Sequence, residues 1–275
     1  MPERTIVITG CSSGIGLSCA KTMKARGWRV LATARRSEDL EHLERDIGVS
    51  AIPLELSEGA SIAACAERAL ELADGRIDAL FNNAAYGQLG AVEDLSASLL
   101  REQFEVNVIG GHDLTCRLLP QMRARRFGRI VQCSSVLGLV SGVYRGAYCA
   151  SKFALEALSD AMRLELRDSG IHVSLIEPGP IRTRFLESTV ERFKATIDPE
   201  ASVHRQAYNA RLQRLEAGGK QTFKLEPEAV ADKLVHAVES ARPKPRYFVT
   251  TPTFTADVMR RVLPTRVLDR FLLSQ

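Results

Sequence analysis

The stretch Thr5-Ile6-Val7-Ile8-Thr9-Gly10-Cys11-Ser12-Ser13-Gly14-Ile15-Gly16 decides how the rest of the chain is read. Ile, Val and Thr suit a pleated surface, so residues 5–9 read as a short strand, and residues 17–26 then carry a helical pattern. The three glycines between them, spaced G-x-x-x-G-x-G, permit a tight turn and let backbone approach a pyrophosphate. Free N–H groups at the start of the helix face the anion. The spacing differs from the G-x-G-x-x-G of the common dinucleotide fingerprint, and Cys19 stands where that pattern's last glycine would fall. Such a turn alone also serves as a plain strand-to-helix joint, so its meaning depends on what surrounds it.

Outward from this turn, short β-branched runs recur at 29–34, 51–56, 77–82, 129–134, 172–177 and 246–250, which makes seven expected strands with 5–9. The segments between them carry apolar residues three and four apart, as in Leu155, Leu158 and Met162, or Val230, Leu234 and Val238. Strands alternating with helices imply βαβ units on a parallel sheet. The scarcity of polar interruptions in IVIT and ALFN implies helices on both faces. The expected class is therefore α/β, a Rossmann-type doubly wound parallel sheet, in which ligands sit at the carboxyl ends of the strands.

Composition agrees with a folded chain: 275 residues, 45% hydrophobic and 25% charged, with no linker separating two apolar halves, so residues 1–275 are read as one domain. Thirty-seven Lys and Arg against thirty-three Asp and Glu leave +4, too small an excess for a nucleic-acid partner without a basic stripe. The start of the chain has no signal-peptide pattern and no long apolar run appears, so a cytoplasmic location is expected. The six cysteines form no C-x-x-C pair and the five histidines no H-x-x-x-H pair, so no metal site is expected and the thiols are read as reduced.

Four further elements lie where strands end. Asn82-Asn83-Ala84-Ala85 closes the fourth expected strand, Ser135 follows the fifth, and Pro178-Gly179-Pro180-Ile181-Arg182-Thr183 follows the sixth. Tyr148 and Lys152 are four apart on a helix and so emerge on one face, thirteen residues beyond Ser135. Together with the glycine turn, these resemble the short-chain dehydrogenase/reductase family over nearly the whole chain. The runs TGCSSGIG and YCASKFALE are most similar to its hydroxysteroid and retinol dehydrogenase branch.

The resemblance implies an NADP(H)-dependent oxidoreductase that interconverts a hydrophobic ketone or aldehyde and its alcohol. Tyr148 would be the proton donor, Ser135 would hold the reacting oxygen, Lys152 would bond the ribose, and Asn107 would support a water chain. Gly10, Ser12, Ser13, Gly14, Ile15 and Gly16 would cradle the pyrophosphate, Asn82 would serve the adenosine ribose side, and Ile181 and Thr183 would engage the carboxamide. Glu55 and Leu56 stand where the family contacts adenine, with Glu55 longer than the family's Asp. Ala34 occupies the place where an acidic residue would favour NAD(H). Arg35, next to it, offers a fork suited to a 2′-phosphate, so NADP(H) is expected over NAD(H), with Arg36 undecided.

An unperturbed tyrosine titrates near pH 10, so acid/base work near neutrality asks for a downward shift, which the ammonium and an oxidised nicotinamide would supply. Residues 184–224 are read as a substrate-covering insertion. Residues 254–275 are read as a basic amphipathic segment that packs on the core or a second subunit, with a peripheral membrane contact as the less favoured alternative. A homodimer or homotetramer is implied through the helices at 96–126 and 148–167. The competing function is a catalytically silent NADP(H)-binding sensor, which the retained Tyr148 and Lys152 argue against. A scaffold working through the basic tail is the third reading.

Overall fold

A computed structural model describes residues 3–216 and 222–273; residues 217–221 of the expected insertion, 274–275 of the tail and the first two residues lie outside the described part. In chain order the elements are β1 (Thr5–Ile8), α1 (Gly14–Ala25), β2 (Arg29–Ala34), α2 (Ser37–His42), β3 (Ser50–Pro53), α3 (Gly59–Leu72) and β4 (Ala79–Asn82). Then come α4 (Ala97–Phe104), α5 (Gly110–Arg125), β5 (Gly128–Cys133), α6 (Gly146–Glu165), β6 (Ile171–Glu177), α7 (Phe185–Thr196) and α8 (Arg205–Glu216). The chain continues with α9 (Glu228–Glu239), β7 (Arg246–Phe248), α10 (Thr251–Val262) and α11 (Thr265–Leu273).

The seven strands form one sheet in the order β3-β2-β1-β4-β5-β6-β7, and adjacent strands pair in parallel. The period of two splits each central strand between two cores. Ile6, Ile8, Val30, Ala32 and Phe81 pack with α1 and α9, whereas Val7, Leu31 and Leu80 pack with α3 and α5. The chain reverses its direction of winding between β1 and β4, and a crevice opens there at the carboxyl ends of the strands.

Several boundaries differ from the sequence reading. α1 begins at Gly14 rather than residue 17, so the last two glycines sit in its first turn. β3 stops at Pro53, which has no N–H to donate, though the Leu54 N–H still reaches Ala34 O. β4 starts at Ala79 because the Gln121 side chain takes the backbone groups of Ile77 and the Asp78 carboxylate accepts from Thr5 N. The helix expected at 96–126 is two helices joined by a π-helical turn at Glu105–Ile109. There the Asn107 side chain is engaged by Tyr86, and a Cβ on Gly110 would overlap the Leu56 carbonyl.

The described part of the 184–224 segment holds two helices, α7 and α8. Val190, Phe193 and Ile197 of α7 and its end are buried, and Phe193, Ile197 and Tyr208 form a small satellite core with Leu89 and Ala91. The tail breaks at Leu263–Pro264, where the helix cannot continue. α10 buries Thr253 and Ala256, but α11 contains no buried residue.

Candidate active site

The ends of β1 and β4 are locked together before any ligand is considered. Thr9 Oγ1 accepts from Asn83 N and Ala84 N, both at 2.9 Å, while Asn83 Nδ2 donates to Thr9 O at 2.9 Å and Gly10 O at 3.2 Å. Gly10 has φ +71°, and a Cβ there would sit 2.9 Å from Ala84 Cα. A Cβ on Gly16 would overlap Gly10 O, so two of the three glycines are dictated by close backbone approach. Ser13 caps α1 in an extended conformation, but its hydroxyl takes none of the first-turn N–H groups. The Ser13 side chain thus leaves those donors to a ligand, and Gly14 and Ile15, which carry two of them, line the crevice.

The crevice is one cleft of ≈ 2360 Å³, large enough for a dinucleotide and a substrate together. Gly10, Ser12, Ser13, Gly14 and Ile15 line one end, joined by Arg35, Glu55 and Leu56. Ser135, Tyr148, Lys152, Ile181 and Thr183 line the same cleft. Gly16 is buried under the turn. Asn82 and Asn107 do not reach the surface of the cleft. Asn82 Nδ2 donates to Thr115 Oγ1 at 2.8 Å and to Gly111 O at 3.3 Å, which leaves Asn83, Ala84 and Ala85 as the cleft residues of this turn. Asn107 accepts from Tyr86 N and donates to Tyr86 O and Ser151 Oγ.

Arg35 and Arg36 part company. Arg36 forms a two-pronged pair with Asp39 at 2.8 and 2.9 Å and leaves the cleft wall to Arg35. The Arg35 side chain is 75% exposed, and its nearest acid is Glu55 at 3.6 Å. Glu55 is partly buried, which disfavours its charge, but Ser57 N and Ser57 Oγ donate to it at 3.0 and 2.8 Å and, with Arg35, hold it below the usual carboxylate range. The loop after β6 is pinned by Leu225, which exchanges backbone bonds with Pro180 and Arg182. Thr183 Oγ1 accepts from Phe185 N, and its methyl packs over the Gly14 position.

Ser135 leaves β5 as the cap of a short 3-10 turn, accepting from Leu137 N at 3.1 Å. Tyr148 and Lys152 stand in the first turns of α6, both almost wholly buried. Lys152 Nζ donates to Cys133 O at 2.7 Å and lies 5.7 Å from the centre of the Tyr148 ring. Burial pushes the Tyr148 phenol up from its ordinary value; Ser135 and the Arg145 charge pull the other way and are outweighed. Burial lowers Lys152 in the same manner. The downward tyrosine shift expected from the sequence is thus absent in the protein alone, because desolvation exceeds the local positive charge.

Phe185 of α7 packs against Tyr148 with ring centres 5.5 Å apart. Two further cleft residues, Arg145 and Arg211, carried no motif to mark them and are brought together only by folding. Among the described residues, no three His, Cys, Asp or Glu side chains converge as a metal site would need.

A family model described as short chain dehydrogenase matches residues 4–193. An uncharacterized oxidoreductase, YbbO, from Escherichia coli is 43% identical over 98% of this chain and 94% of its own length. Human 17-beta-hydroxysteroid dehydrogenase type 1 is 34% identical over 91% of this chain and 78% of its length. Among solved structures, a short chain dehydrogenase/reductase from Burkholderia phymatum in complex with NAD has TM-score 0.79 and 28% identity, covering 98% of this chain and 95% of that one. An actinorhodin polyketide ketoreductase with NADPH has TM-score 0.74 and 25% identity, covering 90% and 95%.

Proposed function

The chain belongs to the short-chain dehydrogenase/reductase family, in its hydroxysteroid and retinol dehydrogenase-like branch, and from that premise we propose that it interconverts a hydrophobic ketone or aldehyde and its alcohol with NADP(H) in preference to NAD(H). One observation carries this reading: Ser135, Tyr148 and Lys152 share a wall of the cleft that begins at the glycine turn. The nicotinamide supplies the hydride when it is bound.

The chain's own residues move the proton. In the reducing direction Tyr148 Oη gives its proton to the carbonyl oxygen, and in the oxidising direction it takes the alcohol proton back. Ser135 Oγ donates a hydrogen bond to that same oxygen and so fixes it beside the phenol. The Lys152 ammonium, anchored on Cys133 O, supports the phenolate left behind. Asn107 acts one step removed, holding the Tyr86 backbone and Ser151 and with them the start of α6. Ser12, Ser13, Gly14 and Ile15, with the bare N–H groups of α1, serve the pyrophosphate, and Ile181 and Thr183 serve the carboxamide.

The cofactor preference rests on Arg35, a fork at the cleft wall beside Ala34 and without an acid at the end of β2. Its exposed pairing with Glu55 is weak and exchangeable for a phosphate. Val136, Val140, Phe185 and Val190 on the cleft wall favour an apolar substrate body. Leu100, Ile109, Leu158 and Leu164 are exposed on α4, the π-helical turn and α6, which supports assembly of two or four copies through those helices.

The test is fluorescence titration with NADPH and NADH, followed by NADPH oxidation with a panel of apolar ketones, aldehydes and quinones. Tighter NADPH binding with turnover of a panel member is the expected result. Binding with no turnover across the panel would favour the sensor, and equal use of both nucleotides would remove the role given to Arg35.

A further inference from the structure

Among the described residues, four arginines lining the cleft, Arg101, Arg145, Arg211 and Arg214, have no carboxylate within ion-pair distance, and of these Arg145 and Arg211 are half-buried while Arg101 and Arg214 are exposed. Arg145 stands three residues before Tyr148 and Arg211 lies on α8 of the covering segment, and both line the cleft with Ser135 and Lys152. Arg35, Arg182, Arg184 and Arg192 on the same walls each have an acidic partner. Arg211 Nε is buried with no hydrogen-bond partner, and its guanidinium lies 5.9 Å from the centre of the Tyr144 ring. Arg214, three residues further along α8, lines the same cleft and adds a third positive charge.

A guanidinium does not escape the cost of burial by losing its proton. Burial works against the charge on Arg145 and Arg211, and at Arg211 the nearby Arg145 and Arg214 charges work against it as well. Clustered like charges, two of them half-buried and none with a carboxylate partner among the described residues, are costly unless an anion completes the site. Planar forks arriving from the N-cap of α6 and from α8 suit a carboxylate or phosphate.

We propose that Arg145 and Arg211, assisted by Arg214, form an anion-binding subsite at the substrate end of the cleft, so that the substrate is an apolar carbonyl compound carrying a carboxylate or phosphate group away from its reacting carbon. This deepens the reading of the cleft as a site for hydrophobic carbonyl compounds and rests on it. The apolar body lies along Val140, Phe185 and Val190, the carbonyl meets Ser135 and Tyr148, and the anionic end bridges the N-cap of α6 and α8. Because Arg211 belongs to the covering segment, a bound anion also ties that segment to the catalytic helix.

The probes are decanoate, decyl phosphate and decanol, which share a ten-carbon chain and differ in the head group, titrated calorimetrically into protein saturated with oxidised cofactor. At least one anion is expected to bind about tenfold or more tightly than decanol, and the stronger of the two identifies carboxylate or phosphate. Arg211→Gln and Arg145→Gln should each remove most of that difference. Arg211→Lys, which keeps the charge without the fork, should retain part of it and controls for folding. Equal binding of all three probes, or an anion preference that survives both Gln variants, overturns the proposal. Turnover of apolar ketones without regard to head group would leave the proposed function standing while removing this subsite. Arginine-dependent binding of an anion with no turnover of any carbonyl compound would do the reverse.

Discussion

Gly16 is buried and carries no side chain, yet its place beside the cleft is tightly constrained, because a methyl group there would overlap the Gly10 carbonyl. Gly16→Ala must push the turn open, and NADPH affinity should fall by at least about tenfold, roughly 1.4 kcal/mol, in a fluorescence titration. An unchanged dissociation constant would show that the turn does not hold the cofactor. Tyr148→Phe keeps the ring against Phe185 and removes the one transferable proton. Turnover should drop by about 10²–10⁴ with NADPH binding nearly intact, and lost binding would instead mark Tyr148 as structural. For Arg35→Ala, the Michaelis constant should rise for NADPH and stay level for NADH; a matched rise in both would rule out a phosphate contact.

At the scale of elements, α7 and α8 are held down by a few buried polar contacts beneath an apolar patch. Tyr208 Oη donates to Asp94 and accepts from Ala91 N at 2.6 Å, and Ser202 Oγ donates to the same carboxylate at 2.6 Å. Burial, joined by the hydrogen bond to Asp94, pushes the Tyr208 phenol up to about 12, so it stays a donor at any working pH. Tyr208→Phe leaves Ala91 N without its partner and takes one of two donors from the Asp94 carboxylate, at a cost of about 1–3 kcal/mol. Amide exchange should quicken across residues 185–216 while the central strands stay protected. Uniform acceleration over the whole chain would mean that this segment is not a separate unit. α11 is the opposite case: without buried residues of its own, it edges the cleft through Phe271, Leu272 and Leu273.

Across the whole molecule, β6, α6 and β7 are tied by one guanidinium shared among three carboxylates. Arg246 donates to Glu156, to Glu177 at 2.6 Å and to Asp160 at 2.6 Å. Glu177 is fully buried, and burial together with Glu156 raises its carboxyl from 4.5 to about 8 despite the bond from Arg246. Between those two values the folded chain holds a proton that the unfolded chain has released, so this group's share of stability falls as pH rises through that window. Urea unfolding at pH 5 and pH 8 should therefore show a steeper loss for the wild type than for Glu177→Gln; equal slopes would mean that Glu177 is ionised throughout. Arg246→Leu should cost about 3–5 kcal/mol, with the larger loss at pH 8, where more of the stranded carboxylates are charged.

Local chemistry was enough for the order of strands and helices, the glycine turn, the pairing of Tyr148 with Lys152 and the family. A period of two or of 3.6, and a residue type at a fixed spacing, are properties of neighbours along the chain. The same reasoning located Ser135 and Arg35. It could not tell Asn82 from Asn83, because which amide turns into the core and which braces Thr9 depends on α5 and β1 packing around them. Nor could it anticipate that the Tyr148 phenol is pushed up, since desolvation is set by how many distant segments close over the ring. The uncompensated pair Arg145 and Arg211 was hidden for the same reason. Their 66-residue separation carries no pattern, and only the fold of α8 over the start of α6 brings these two positive charges into one cleft, with no carboxylate of the described residues within ion-pair distance of either.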